Sequence, residues 1–143
     1  MAFRIVIAED HETVRSGLRA FLHARPEWEV CGEAVDGNDA LEKVKQLKPD
    51  LIMLDIHLPN LDGIATAREI LIQRPSTKIL IVSMMTTETL IRQAKQMGFH
   101  GFISKSHVSR DLFPAIEAIQ RGQTFFRGDE GPTSSGGSSV LAA

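Results

Sequence analysis

Glu9 and Asp10 stand side by side, a third carboxylate follows at Asp55, a hydroxyl at Ser83 and an ammonium at Lys105. Each follows or ends a short apolar run. In an open parallel α/β sheet the carboxyl ends of the strands share one rim, and ligands bind there where strand order reverses. Three acids, a hydroxyl and a lysine on such a rim describe a site for a divalent cation and a phosphoryl group. Magnesium favours octahedral oxygen coordination and keeps several waters, so one or two carboxylates plus a phosphate suit it better than a full protein cage. Asp10 and Asp55 are the expected ligands, with Glu9 acting through water. Crowded acids resist joint ionisation, which favours a divalent cation among them. Lys105 then supplies a point charge for the outer phosphoryl oxygens, and Ser83 offers them a hydroxyl. A carboxylate can itself attack phosphorus, while cations and donors stabilise the charge on the equatorial oxygens. Asp55, ending a nearly continuous apolar run, is the expected nucleophile.

The elements that must position these groups alternate along the chain. Phe3 to Ala8 reads as a strand, and Val14, Leu18, Phe21 and Leu22 then recur at helical spacing up to Pro26. Glu29 to Ala34 is a weaker strand. Asp36-Gly37-Asn38 is turn and cap chemistry ahead of a stripe of Ala40, Leu41, Val44 and Leu47, stopped by Pro49. Asp50 to Asp55 is the run expected of a central strand covered on both faces. Residues 61 to 73 read as a helix, Lys78 to Ser83 as a strand, and Thr87 as the cap of a helix that Gly98 ends. Gly101 to Ser104 is a short fifth strand, followed by a helix over roughly 109 to 121. Five strands alternating with five helices imply a doubly wound, five-stranded parallel sheet. Periodicity alone leaves the strand order open.

A chain of 143 residues suffices for one domain with its own core. The lone Cys31 excludes a disulfide framework, points to a reducing compartment and reads as a small buried residue. No apolar run approaches the roughly 20 residues needed to span a bilayer, and the start lacks a signal-peptide pattern, so a cytoplasmic protein without membrane contact is expected. Sixteen basic and eighteen acidic residues, net charge −2, leave no electrostatic footprint for DNA. From about Arg127 the composition turns to Gly, Ser and Pro. Residues 1–124 are thus expected to form the domain and 125–143 a flexible linker or tail. The five histidines show no metal-ligand spacing with cysteine and read as surface or loop residues. Trp28 reads as a packing residue.

With Ala8-Glu9-Asp10-His11, Leu54 to Gly63 around Asp55, Ser83, and Gly101-Phe102-Ile103-Ser104-Lys105, the chain resembles a receiver domain of bacterial two-component response regulators over residues 3 to about 122. The resemblance implies a flavodoxin-like strand order 2-1-3-4-5 and phosphotransfer from a histidine kinase to Asp55. It also implies Mg²⁺ held by Asp10, Asp55 and the backbone carbonyl of His57. Ser83 and Phe102 become a switch in which the hydroxyl moves toward the phosphoryl group and the ring turns inward. The domain is then a signalling phosphoacceptor rather than an enzyme acting on other substrates. Ser106 after Lys105, with the Ser/Gly linker, resembles the NarL/LuxR-type subfamily. That implies transcription regulation through a C-terminal helix-turn-helix domain, with DNA bound only there. A homodimer is expected, through the face of the fourth helix, fifth strand and fifth helix or through the first and fifth helices.

Two features depart from the pattern. Glu9 stands where aspartate is commoner, and Met84 and Met85 follow Ser83 where a small residue is usual. Met84 is expected to narrow access to the phosphoryl group. Two rival readings differ in kind. A stand-alone phosphorelay or scaffold receiver would have no DNA-binding output. A phosphatase resembling the haloacid dehalogenases would carry a second acid two residues after the nucleophile, where this chain has His57.

Overall fold

The computed structural model describes residues 2–60 and 62–128. These fall into two compact units, one reaching Ile79 and one starting at Leu80. The elements run β1 (Phe3–Ala8), α1 (Glu12–Leu22), β2 (Trp28–Ala34), α2 (Gly37–Leu47), β3 (Leu51–Asp55), α3 (Gly63–Gln73), β4 (Lys78–Ser83), α4 (Glu88–Gln96), β5 (Gly101–Ser104), α5 (Val108–Gln120) and β6 (Phe125–Phe126), with a single 3₁₀ turn at Lys105–His107. The strand order is β2-β1-β3-β4-β5-β6. This is the expected flavodoxin-like α/β order with its five helices and one strand more.

In the first unit β1 pairs in parallel with both β2 and β3. Ile5, Val6, Ile7 and all of Leu51 to Asp55 are buried, which is why these strands read as unbroken apolar runs instead of alternating ones. Leu18 and Leu22 of α1, Ala40 and Val44 of α2, and Ala67 and Ile70 of α3 complete this core. The starts of α2 and α3 are set by side chains that satisfy otherwise orphaned amides. Asp36 accepts from Asp39 N at 2.7 Å, and Asp62 from Ala65 N at 2.9 Å. The β1–β2 register slips between Ile5 and Val6, where Val30 and Gly32 are the successive partners, leaving Cys31 as the extra residue. Cys31 is only half-buried, contrary to the expected core position, as are Val30, Gly32 and Glu33 around it, because β2 is the edge strand of the sheet. Burial still pushes its thiol pKa up.

In the second unit β5 pairs in parallel with β4 and with β6. Thr87 caps α4 by accepting from Leu90 N at 3.2 Å, and Gly98 ends it with φ 85°, a conformation in which side chains are strained. Leu112, Ala115, Ile116 and Ile119 of α5 are buried, as are Phe102 and Ile103 of β5. The boundary expected at residue 124 needs correction. Phe125 N donates to His100 O at 3.0 Å and Arg127 N to Phe102 O at 2.8 Å, so Phe125 and Phe126 belong to the sheet and Arg127 is still bonded to it. The rest of the expected linker lies outside the described residues.

Candidate metal and phosphoryl site

β1 delivers Glu9 and Asp10, and β3 delivers Asp55. Ala8 is the register partner of Leu54, so Glu9 and Asp55 leave adjacent strands at the same level. Both are almost fully buried, at 1% and 4% exposed. Three acids at the ends of two adjacent strands repel one another, and polar groups around them offset part of that charge. His11 N donates to Glu9 Oε2 at 3.1 Å, and the His11 ring nitrogen Nδ1 lies 3.0 Å from the same oxygen. His57 N donates to Asp55 Oδ1 at 3.2 Å. The Asp55 loop is held by Gly63, whose N–H donates to Ile56 O at 2.7 Å. A Cβ at position 63 would collide with the Asp55 carbonyl oxygen and the Ile56 Cα, so this approach requires glycine. Asn60, at φ 72°, donates from Nδ2 to Asp36 Oδ2 at 2.8 Å and ties the same loop to the cap of α2.

Asp10 differs from its neighbours. Its Oδ1 is out of solvent and receives no hydrogen bond, although His11 Nδ1 stands 3.2 Å away. A buried carboxylate oxygen without a donor is costly, and a hard cation is the partner that would satisfy it. The donor set therefore fits the Mg²⁺ that the sequence implies. Glu9, Asp10 and His11 together place one ligand atom each within 4.8 Å of one another. His11 is the member of this cluster that sequence reasoning set aside. Its signal was direct adjacency to two rim acids, which a search for histidine–cysteine spacing does not register.

In the second unit Ser83 ends β4 and Lys105 follows β5, with Ser83 the register partner of Ser104. Ser83 is fully buried, and its Oγ accepts from Met85 N at 3.0 Å, which leaves its O–H free to donate. Ser104 Oγ accepts from Ser106 N at 3.0 Å, starting the turn that carries Lys105. Phe102 is fully buried, whereas Met84 and Met85 are 60% and 48% exposed.

Fold and site define a response-regulator receiver: the family of response regulator receiver domains matches residues 5–117, and the chain belongs to it. Its relatives are response regulators of the LuxR/NarL type. The uncharacterized transcriptional regulatory protein YxjL of Bacillus subtilis is 36% identical over 124 residues, spanning 87% of this chain and 57% of that protein. A crystal structure of a LuxR-family two-component response regulator from Aurantimonas sp. SI85-9A1 is 32% identical with a TM-score of 0.83, covering 87% of this chain and 89% of that one. The isolated receiver domain of RcsB from Salmonella enterica serovar Typhimurium, solved in the presence of the phosphomimetic BeF3⁻, is 25% identical with a TM-score of 0.83, covering 89% and 94%. The chain spans a little over half the length of the curated relatives it matches. No helix among the described residues is long and apolar enough to cross a membrane.

Proposed function

We propose that this chain is the phosphoacceptor module of a two-component response regulator and that Asp55 is the acceptor. A carboxylate oxygen of Asp55 attacks the phosphorus of a kinase phosphohistidine; the P–N bond breaks, and its electron pair and a proton return to the imidazole. Asp10, Asp55 and the His57 carbonyl would hold Mg²⁺, with Glu9 acting through water. Bound there, the ion neutralises charge on the phosphoryl oxygens. Ser83 donates its hydroxyl to one of those oxygens, Lys105 provides the compensating charge, and Phe102 responds with them as a switch. Met84 and Met85 restrict the access of water. The observation that carries this reading is the buried Asp10 oxygen without a hydrogen bond, just beyond β1, the strand adjacent to the one that ends in Asp55.

Beyond phosphotransfer, the module acts in the cytoplasm, forms a homodimer and controls transcription through an attached C-terminal helix-turn-helix domain that binds DNA. The transcriptional relatives support this output. The test is intact mass after incubation with Mg²⁺ and acetyl phosphate, comparing this chain with Asp55→Ala. One phosphoryl adduct in the parent and none in the variant is expected. Equal labelling of both, or no adduct in either, would remove Asp55 from the role.

A further inference from the structure

The phosphoacceptor reading uses neither a sixth strand nor a buried acid on α5, and the structure has both. Asp111 is fully buried. Its carboxylate accepts two bonds from Arg110, Nε at 2.8 Å and Nη2 at 2.7 Å, and a third from Arg127 Nη1 at 2.9 Å. Arg110 Nη2 also donates to Gly128 O at 3.2 Å. One acid on α5 thus holds the chain just beyond β6 through two arginines.

Two residues of strand are too few to hold their own place. Further contacts act on the same segment. The Arg127 guanidinium lies 5.0 Å from the centre of the Phe125 ring, and Lys95 Nζ of α4 lies 5.4 Å from that of Phe126. Gly101, with no Cβ, lets the Phe125 carbonyl approach β5; a Cβ there would stand 3.0 Å from that oxygen. The partner that accepts from Arg127 N is the carbonyl of Phe102, and Phe102 is the register partner of Phe126.

We propose that Phe125–Gly128 is a latch, clamped by Asp111, that fastens the outgoing chain to the strand carrying Phe102 and Lys105, and that phosphorylation tightens it. The coupling rests on the reading of Phe102 as a switch residue. Because Arg127 N bonds the carbonyl of Phe102 itself, a phosphoryl group that favours the inward ring is expected to favour the latch. Coupling is reciprocal, so a loosened latch weakens binding of the phosphoryl mimic by the same factor.

Amide hydrogen exchange by NMR on the 143-residue chain tests this. Arg127→Met keeps Asp111 paired with Arg110, so the fold survives where Asp111→Ala could lose it. Without any phosphoryl mimic, the amides of Phe125 and residue 127 should exchange roughly ten-fold faster in the variant, while those pairing β4 with β5 keep their rates. Unchanged exchange at the two latch amides would overturn the latch, whatever Asp55 does. Adding Mg²⁺ and BeF3⁻ to the parent should slow those two amides about three-fold and have no such effect in Arg127→Met. If the amides of the Asp55 loop respond to BeF3⁻ and the parent's latch amides do not, the coupling is overturned while the phosphoacceptor reading stands. If the Asp55 loop does not respond either, the coupling is overturned together with that reading, and the unliganded comparison alone decides the latch.

Discussion

Asp10 and Asp111 are two carboxylates withdrawn from water to different ends. Asp111 has three hydrogen bonds from two arginines and no exposure. Asp10 keeps part of its side chain in solvent, yet hides one oxygen that receives no hydrogen bond. A satisfied buried acid is a structural fastening, because its ionised form is already compensated. An unsatisfied one among other acids is a group whose charge a cation would offset. Opposite responses to neutralisation should follow from this difference.

The largest effect is expected at Asp111. Asp111→Ala strands two guanidinium groups, and breaking a buried pair typically costs 3–5 kcal/mol. Arg110 and Arg127 are 37% and 26% exposed and can turn toward water, so a loss of about 3 kcal/mol is expected, or roughly a 10 °C fall in the thermal midpoint. Thermal unfolding followed by circular dichroism measures it. A change below about 1 kcal/mol would put Asp111 with ordinary surface acids and end the contrast.

Asp10→Asn should move the other way. Removing one of three crowded charges relieves repulsion, so without metal the variant should unfold about 0.5–1 kcal/mol harder than the parent. If Asp10 is the direct carboxylate ligand proposed above, the variant's affinity for Mg²⁺ should fall at least about ten-fold. Unfolding in EDTA and across a Mg²⁺ series reads both effects, because a ligand bound to the native state raises the midpoint by mass action. A variant less stable than the parent in EDTA would show that Asp10 is a structural acid after all.

Glu33 provides a third case, on the same unit as Asp10 but supplied with partners. Arg15 Nε donates to Oε1 at 2.9 Å and Arg19 Nη1 to Oε2 at 2.5 Å. Burial pushes the Glu33 pKa up, but the hydrogen bonds and charges of Arg19 and Arg15 outweigh it and hold the carboxyl below the usual glutamate range. A pKa depressed by folding contributes stability that is complete above the unfolded value, about 4.3, and is lost as pH falls through the folded value. Glu33→Gln should therefore cost about 1 kcal/mol at pH 7, and the gap should close as pH falls below about 4.3. A gap that persists unchanged in acid would assign the cost to packing instead of charge.

What the sequence disclosed follows the same division. β1, β3 and β4 were legible because strands covered on both faces leave continuous apolar runs. The rim acids were legible because a charge ending such a run has few other places to go. The strand order came from resemblance to a family, since period-2 and period-3.6 patterns carry no information about which strands are neighbours. β6 was lost because Phe125–Phe126 is too short to show a period, and the composition change just after it drew the boundary too early. The Asp111–Arg127 pair was lost because its partners lie 16 residues apart across a turn, and nothing in local spacing marks that contact.

The smallest effect concerns Met84, where the contrast turns from charge to shielding. Met84 directly follows the buried Ser83 and is 60% exposed, so its thioether contributes little to any core. Met84→Ala should accordingly change stability by less than about 0.5 kcal/mol. A flexible apolar chain beside a hydroxyl assigned to the phosphoryl oxygens can still hinder the water that hydrolyses an aspartyl phosphate. Loss of the phosphoryl adduct, timed by intact mass after removal of acetyl phosphate, should be about three-fold faster in the variant, a barrier change of roughly 0.65 kcal/mol. The midpoint of unfolding without phosphate serves as the control. Faster loss at unchanged stability is a shielding effect, whereas an unchanged lifetime would leave Met84 as an exposed side chain with no part in the chemistry.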